Sequence, residues 1–388
     1  MESPFYFGQV VADSSFTNRT NELKLVTDLL ISHNNAILIS PRRYGKSSLV
    51  KKVLNGISSR KNFQVVSLDL TASRSEEAFL EDFANHVLRA NTSKTVWQKL
   101  GDALKTITPS FSLGMGDFSD FATLSFNWQE KKKTIAEILN LPSLMAEITG
   151  KYQIIAIDEF QNINRFEDSE GLQYQMRSYW QHHTQVSYCL YGSKRHMMEE
   201  IFSSDSSPFY NFGQVLRLQK IDEYHWVPFI MNQFEISGKS ISRHFAEVIV
   251  RIMNRHSEYV QFLSHQIWAA CPKGEVSEKH MERGLKIFMD ATSIHFVDMF
   301  DKLNNTQVKI IKAILNGETK LSSQEVIRKY SLGTSANVVK AARILIEEDI
   351  VEKGKEIYSL INPAFELWFR AKILGEPILD KFRKVLKS

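Results

Sequence analysis

Cysteine is nearly absent: Cys189 and Cys271 are the only two in 388 residues, far apart and each in an apolar stretch. That argues against a disulfide framework or a thiolate metal cluster and for two reduced core thiols. No apolar run approaches the length needed to span a bilayer. The opening Met1-Glu2-Ser3-Pro4 also lacks the basic-then-apolar layout of a secretory leader, so the expected compartment is the cytoplasm, with no membrane partner. An excess of one charge is missing too: 48 Lys and Arg against 44 Asp and Glu leave +4, too mild to imply nucleic acid unless clustered on one face. The 11 histidines form no metal-ligand spacing, and His182-His183 reads as a polar helix end.

What remains is a globular composition, 43% hydrophobic and 24% charged, long enough for two or three domains, each with its own core. The chain is organised around Ile39-Ser40-Pro41-Arg42-Arg43-Tyr44-Gly45-Lys46-Ser47-Ser48-Leu49, directly behind the apolar run Ala36-Ile37-Leu38. Strand, tight loop and helix start follow one another. Such a loop points successive backbone N–H groups and the positive end of a helix at a phosphate chain, while a Lys reaches the β/γ-phosphates and a Ser holds Mg²⁺. Lys46 and Ser47 fit these roles. Ser40 stands where GxxxxGK[ST] has its first Gly, and Ser has less freedom at positive φ. A basic surface turn would use the same residue types. Against it stands a second motif: the strand Tyr152 to Ile157, apolar at its C-terminal part, ends in Asp158-Glu159. Paired carboxylates at the end of a buried strand are costly unless they serve a metal or a proton transfer. Asp158 is expected to hold the shell of a metal on Ser47 through water, and Glu159 to orient and deprotonate the attacking water.

With these two motifs, the Walker A loop Pro41 to Leu49 (PRRxGKSSL) and the Walker B strand Ile154 to Gln161 (hhhhDEFQ), the chain resembles the AAA-type prokaryotic P-loop ATPases related to the STAND NTPases. Softer similarity extends to Phe16-Thr17-Asn18-Arg19 before Glu22-Leu23, and to Tyr191-Gly192-Ser193. The resemblance implies an α/β fold with a five-stranded parallel sheet of order 5-1-4-3-2, a helical lid over the nucleotide, and ATP or ADP with Mg²⁺ as ligands. It makes Ser40, Pro41, Arg42, Arg43, Tyr44, Gly45, Lys46, Ser47 and Ser48 the phosphate cradle, and Arg19 a base or ribose contact. A solvated Arg near a helix N-terminus is the ordinary alternative for Arg19. It also places Ser193 at the end of the fourth strand, facing the γ-phosphate. Relatives often carry Gly-x-Pro near the adenine, where this chain has His256-Ser257-Glu258. An arginine finger is expected, with Arg195 and Arg217 as unremarkable candidates.

Along the chain, residues 1–220 read as the ATPase core. Helices are expected over about 21–32 and 48–54, and a strand over 63–70. A capping box Ser73 to Glu76 opens a helix whose Phe79, Leu80, Phe83, Val87 and Leu88 share a face. Residues 91–130 read as an insertion, a hairpin among them near Phe111 to Gly116. Strands at 186–191 and 214–218 complete the sheet. Residues 221–303 turn wholly helical, with aromatic stripes that are packing faces. Residues 304–388 read as a winged helix-turn-helix and a C-terminal helix, the wing turning at Gly354. Its third helix carries an apolar face of Val338, Val339, Ala342 and Leu345, and offers Asn337, Lys340 and Arg343, with Lys353 and Lys355 on the wing. That supply is thin for a DNA-reading helix, so DNA and protein both stay open as its partner. The function these motifs imply is an ATP-binding, Mg-dependent ATPase acting as a switch. The alternative is an ATP-binding regulatory or DNA-binding module with little turnover. Self-association is also left open.

Overall fold

The computed structural model describes residues 2–9, 17–90, 128–354 and 357–379, together with 96, 99, 111–114, 123–126, 382 and 385. Two compact units result. One holds Arg19–Arg42 and Lys46–Leu218; the other holds Met1–Asn18, Arg43–Gly45 and Gln219–Ser388.

The first unit is built on five parallel strands: β1 Ala36–Ile39, β2 Phe63–Asp69, β3 Tyr152–Asp158, β4 Val186–Gly192 and β5 Gln214–Arg217. Their order is β2-β3-β4-β1-β5, the expected 5-1-4-3-2. Central strands of a parallel sheet are covered on both faces and so read as continuous apolar runs. Every residue of β1 and β4 is buried, whereas β2 and β5 at the edges keep exposed positions. The register pairs Ile39 with Gly192 and Ile157 with Leu190, so β1, β3 and β4 end side by side. Helix α1 Thr20–Ile31 precedes β1, and α2 Lys46–Ser58, α3 Glu76–Arg89, α4 Lys131–Thr149, α5 Ser169–Trp180 and α6 Arg195–Ser203 lie between the strands. The core includes Phe79, Phe83, Phe160, Trp180 and Tyr188, with Trp180 stacked on Tyr188 at 4.1 Å.

Some expectations need correction. The cap of α3 is Ser75, whose side chain accepts from Ala78 N; Ser73 instead reaches Asp82 at 3.5 Å. Both serines have the chemistry of a cap, and the chain becomes helical only after the second. The expected insertion lies largely outside the described residues. Its described parts include an antiparallel pair, Phe111–Gly114 with Thr123–Phe126; Met115 and Gly116 fall outside them. Cys189 and Cys271 are free and buried, as expected. His183 is bonded to Tyr188 and Asn140, and burial pushes its pKa down to about 4.

The second unit carries helices α7 Glu223–Ile236, α8 Arg243–Ile252, α9 Ser257–Ala270 and α10 Glu278–Asp301. Residues 221–303 are not wholly helical: Lys239–Ser240 and Gly274–Glu275 form a short parallel pair. A winged helix follows, with α11 Asn305–Leu315, α12 Gln324–Tyr330 and α13 Ser335–Glu347, a wing pairing Val351–Lys353 with Tyr358–Leu360, and α14 Pro363–Lys372. Asn304, Ser323, Thr334 and Asn362 cap its helices through their side chains, each supplying an orphan N–H with an acceptor. Helix α13 buries Val338, Ala341, Ala342 and Leu345. Val339, expected on that face, is 59% exposed, because one further residue turns about 100° around a 3.6-residue helix. Lys355 lies outside the described residues. The compact units cut the chain differently from the expected domains: Phe5 is buried against Phe234, and Phe7 stacks on Phe262 at 4.1 Å, which ties the segment 2–9 to α7 and α9. Among the described residues no helix is long and apolar enough to cross a membrane.

Candidate functional site

The loop after β1 and the turn after β3 meet at the C-terminal edge of the sheet, where open α/β folds bind their ligands. Ser40 is fully buried; its N–H donates to Gly192 O at 3.4 Å and its hydroxyl to Pro41 O at 2.9 Å. It is not a positive-φ residue. That conformation falls on Arg43 (φ 69°) and Gly45 (φ 88°), so a side chain at position 40 costs the loop nothing in backbone strain. Arg42 is exposed and Ser48 is buried inside α2.

Lys46 is the first residue of α2 and only 5% exposed. Its ammonium is hydrogen-bonded to Asp158 Oδ1, lies 3.9 Å from Glu159 Oε1 and sits 4.5 Å from the centre of the Tyr191 ring. Ser47 Oγ donates to Asp158 Oδ2 at 3.1 Å. Burial raises the Asp158 pKa against the pull of Lys46. For Glu159 burial also pushes upward, but Lys46 and the donors on its carboxylate outweigh it and hold the group below the usual range. Cys189 lies beneath this cluster, its thiol pushed up to about 12 by burial, and is therefore inert.

Glu159 has a left-handed backbone, φ 50° and ψ 40°, and opens the 3₁₀ turn Phe160–Arg165. Ser193 donates to its Oε2 through Oγ at 2.7 Å and through N–H at 3.4 Å. Ser193, expected to face a γ-phosphate, thus holds the carboxylate here. Gln161, quoted in the DEFQ pattern without a role, donates its amide to the same oxygen.

Arg19 is not solvated. It is 3% exposed, stands at the N-cap of α1 with φ 71°, and bonds Glu22 at 2.9 Å. Its motif neighbour Phe16 lies outside the described residues. Arg217 is paired with Glu199 at 3.2 Å, and Arg195 opens α6.

Arg43, Tyr44 and Gly45 group with the second unit. There Arg43 bonds Tyr259 Oη at 2.9 Å and pairs with Glu258 at 3.3 Å, and Tyr259 in turn accepts from Asn362 Nδ2 at 2.8 Å. Tyr44 meets His256 edge-on at 5.0 Å. His256 is 3% exposed, and its Nδ1 has no hydrogen-bond partner among the described residues. Burial, then Arg43 and Lys220, push its pKa down to about 3, so the ring is neutral.

Comparison with known proteins places this geometry in context. A family model described as "Probable winged helix domain" matches residues 294–371. The chain is similar to a Walker-type ATPase of Pyrococcus abyssi, at TM-score 0.68 and 16% identity over 95% of this chain and 99% of that one. It is also similar to the ORC2 protein of Aeropyrum pernix, solved in ADPNP and ADP complexes, at TM-score 0.56 and 11% identity over 99% and 98%. At such identities the likeness is one of fold: a P-loop ATPase sheet with a C-terminal winged helix. By sequence, a stretch of 165 residues is 27% identical to a mitochondrial escape protein 2 homolog of Dictyostelium discoideum, covering 41% of this chain but only 18% of that protein.

Proposed function

We propose that the chain binds ATP with Mg²⁺ at Lys46, Ser47 and Asp158, hydrolyses it slowly, and uses the nucleotide state as a switch on its winged helix. The observation that carries this reading is the convergence of Lys46, Ser47, Asp158 and Glu159 at the ends of β1 and β3. Ser47 Oγ and Asp158 Oδ2 are adjacent hard oxygen donors, the pair that Mg²⁺ takes from a protein while keeping water and phosphate for its other positions. Bound there, Mg²⁺ would neutralise charge on the β- and γ-phosphates. Lys46 would leave Asp158 for the β/γ-phosphates, and the N–H groups at the start of α2 would face the phosphate chain. Glu159 would take a proton from water as its oxygen bonds to the γ-phosphorus and the bridging P–O bond to ADP breaks.

Binding and turnover separate in two variants of the full chain. Lys46→Ala is expected to weaken ATP binding about a hundredfold or more in a calorimetric titration, having lost the cation of a charge-assisted contact. Glu159→Gln is expected to bind ATP normally and to lose phosphate release. Normal release from Glu159→Gln would take the base role away from Glu159, and no release from wild type would move the reading to a nucleotide-binding regulatory module without turnover.

A further inference from the structure

Glu159 does not stand alone. Its Oε2 receives three donors, Gln161 Nε2, Ser193 Oγ and Ser193 N–H, whereas its Oε1 is the oxygen turned toward Lys46. An oxygen already saturated by donors is a poor proton acceptor, so the other is left to do the work. We infer that Gln161 is a positioning residue, whose side-chain amide fixes which oxygen of Glu159 faces the phosphate loop.

The fold goes to some length to seat this amide. Gln161 is 1% exposed. The left-handed backbone at Glu159 starts the 3₁₀ turn, and Phe160 pins it, fully buried with its ring 5.5 Å from those of Phe202 and Phe209. This brings the side chain two residues on back over the carboxylate. Room for it comes from β4: a Cβ on Gly192 would stand 2.0 Å from Gln161 Oε1 and 2.6 Å from Met198 Sδ. A side chain at position 192 would therefore displace the Gln161 amide from the place it holds. Gln161 Oε1 is buried and has no hydrogen-bond partner among the described residues. Turning the amide over would set that oxygen against the Glu159 carboxylate, acceptor facing acceptor, so the orientation follows from Glu159. A buried orphan acceptor is a cost that a residue serving only as filler has no reason to carry.

The role rests on the proposed hydrolysis and acts through Glu159. Its test uses the full chain with Gln161→Met and Gln161→Leu, which keep the bulk and remove the donor, and Gly192→Ala, which keeps the donor and crowds it. Expected is a fall in kcat of about tenfold or more, since small misplacements of a reacting group cost on that scale, with ATP affinity by titration within about twofold of wild type. In a Glu159→Gln background, Gln161→Met is expected to lower kcat no further, because residues acting as one unit are non-additive. An unchanged or raised kcat would overturn the inference. So would ATP affinity falling in step with kcat, a further loss in the Glu159→Gln background, or failure of both Gln161 variants to fold. Wild-type turnover with an unaltered Gln161→Met rate sinks this role alone. Wild-type phosphate release no higher than that of Glu159→Gln sinks the hydrolysis reading itself, and this role with it.

Discussion

Lys46 illustrates how a residue can be found by its motif and still be misplaced in its surroundings. The spacing of the loop implies a cation in an exposed turn, yet the ammonium is buried between Asp158, Glu159 and the Tyr191 ring. Removing it leaves two largely buried carboxylates without their counter-charge, a loss that costs stability as well as binding. Lys46→Ala is accordingly expected to lower the melting temperature in the absence of nucleotide, whereas Ser40→Gly is expected to change ATP affinity less than about twofold, since position 40 carries no positive φ. A titration with each variant checks the pair. His256 gives the pH dependence. Facing it are Tyr44, Tyr259, Arg43 and Lys220, and it is neutral in the fold with a pKa of about 3 against an ordinary 6.5. The unfolded chain therefore binds the extra proton between those values, and stability present above pH 6.5 is lost as pH falls toward 3. The ceiling for one such group is roughly 5 kcal/mol. Urea unfolding at pH 7 and pH 5 is expected to show a smaller difference for His256→Phe than for wild type.

At the scale of elements, the sheet was legible because burial on both faces leaves unbroken apolar runs in β1, β3 and β4, and turn residues close them. The winged helix was legible from three short apolar periodicities and a hairpin. Boundaries were less so, since Ser73 and Ser75 are chemically equivalent caps and only the packing of α3 selects one. The exposed side of α13 shows the same limit: periodicity sets Val338 on the core face, and it takes the helix's actual phase to turn Val339 outward. That side presents Asn337, Val339, Lys340 and Arg343, and Arg343 is already paired with Glu347 at 2.7 Å. If duplex DNA is the partner, the full chain's affinity for random duplex should fall with salt with a log–log slope of about −0.9 for each phosphate neutralised. The triple change Lys340→Ala, Arg343→Ala, Lys353→Ala is expected to abolish it. Fluorescence anisotropy at two salt concentrations measures this, and no saturable binding at low salt rules duplex DNA out as the partner of the full chain. Gln161 was out of reach of such reasoning. Its position in DEFQ is visible, but its return over Glu159 depends on a left-handed turn and on the missing Cβ of Gly192, neither of which has a linear signature.

At the scale of the whole molecule, chain order and compact units part company. Residues 2–9 pack with the C-terminal half: Phe5 is 3% exposed, its ring 5.4 Å from Phe234, and His265 shares a hydrogen bond with Ser3 at 2.7 Å. Truncating a buried Phe to Ala costs about 3–5 kcal/mol. Phe5→Ala is therefore expected to shift the unfolding of this unit, followed by Trp226 and Trp268 fluorescence, to lower denaturant.

The early placement of Phe5 and Phe7 also sets a clock. At about 5–20 residues per second, the ribosome releases these rings roughly ten to fifty seconds before Phe234 and Phe262 exist to receive them. The sheet unit has all its strands and can close in that interval, and the helical unit, begun first, is finished last. Throughout that wait the nascent chain carries two unclaimed phenyl groups, the kind of surface that holding chaperones capture.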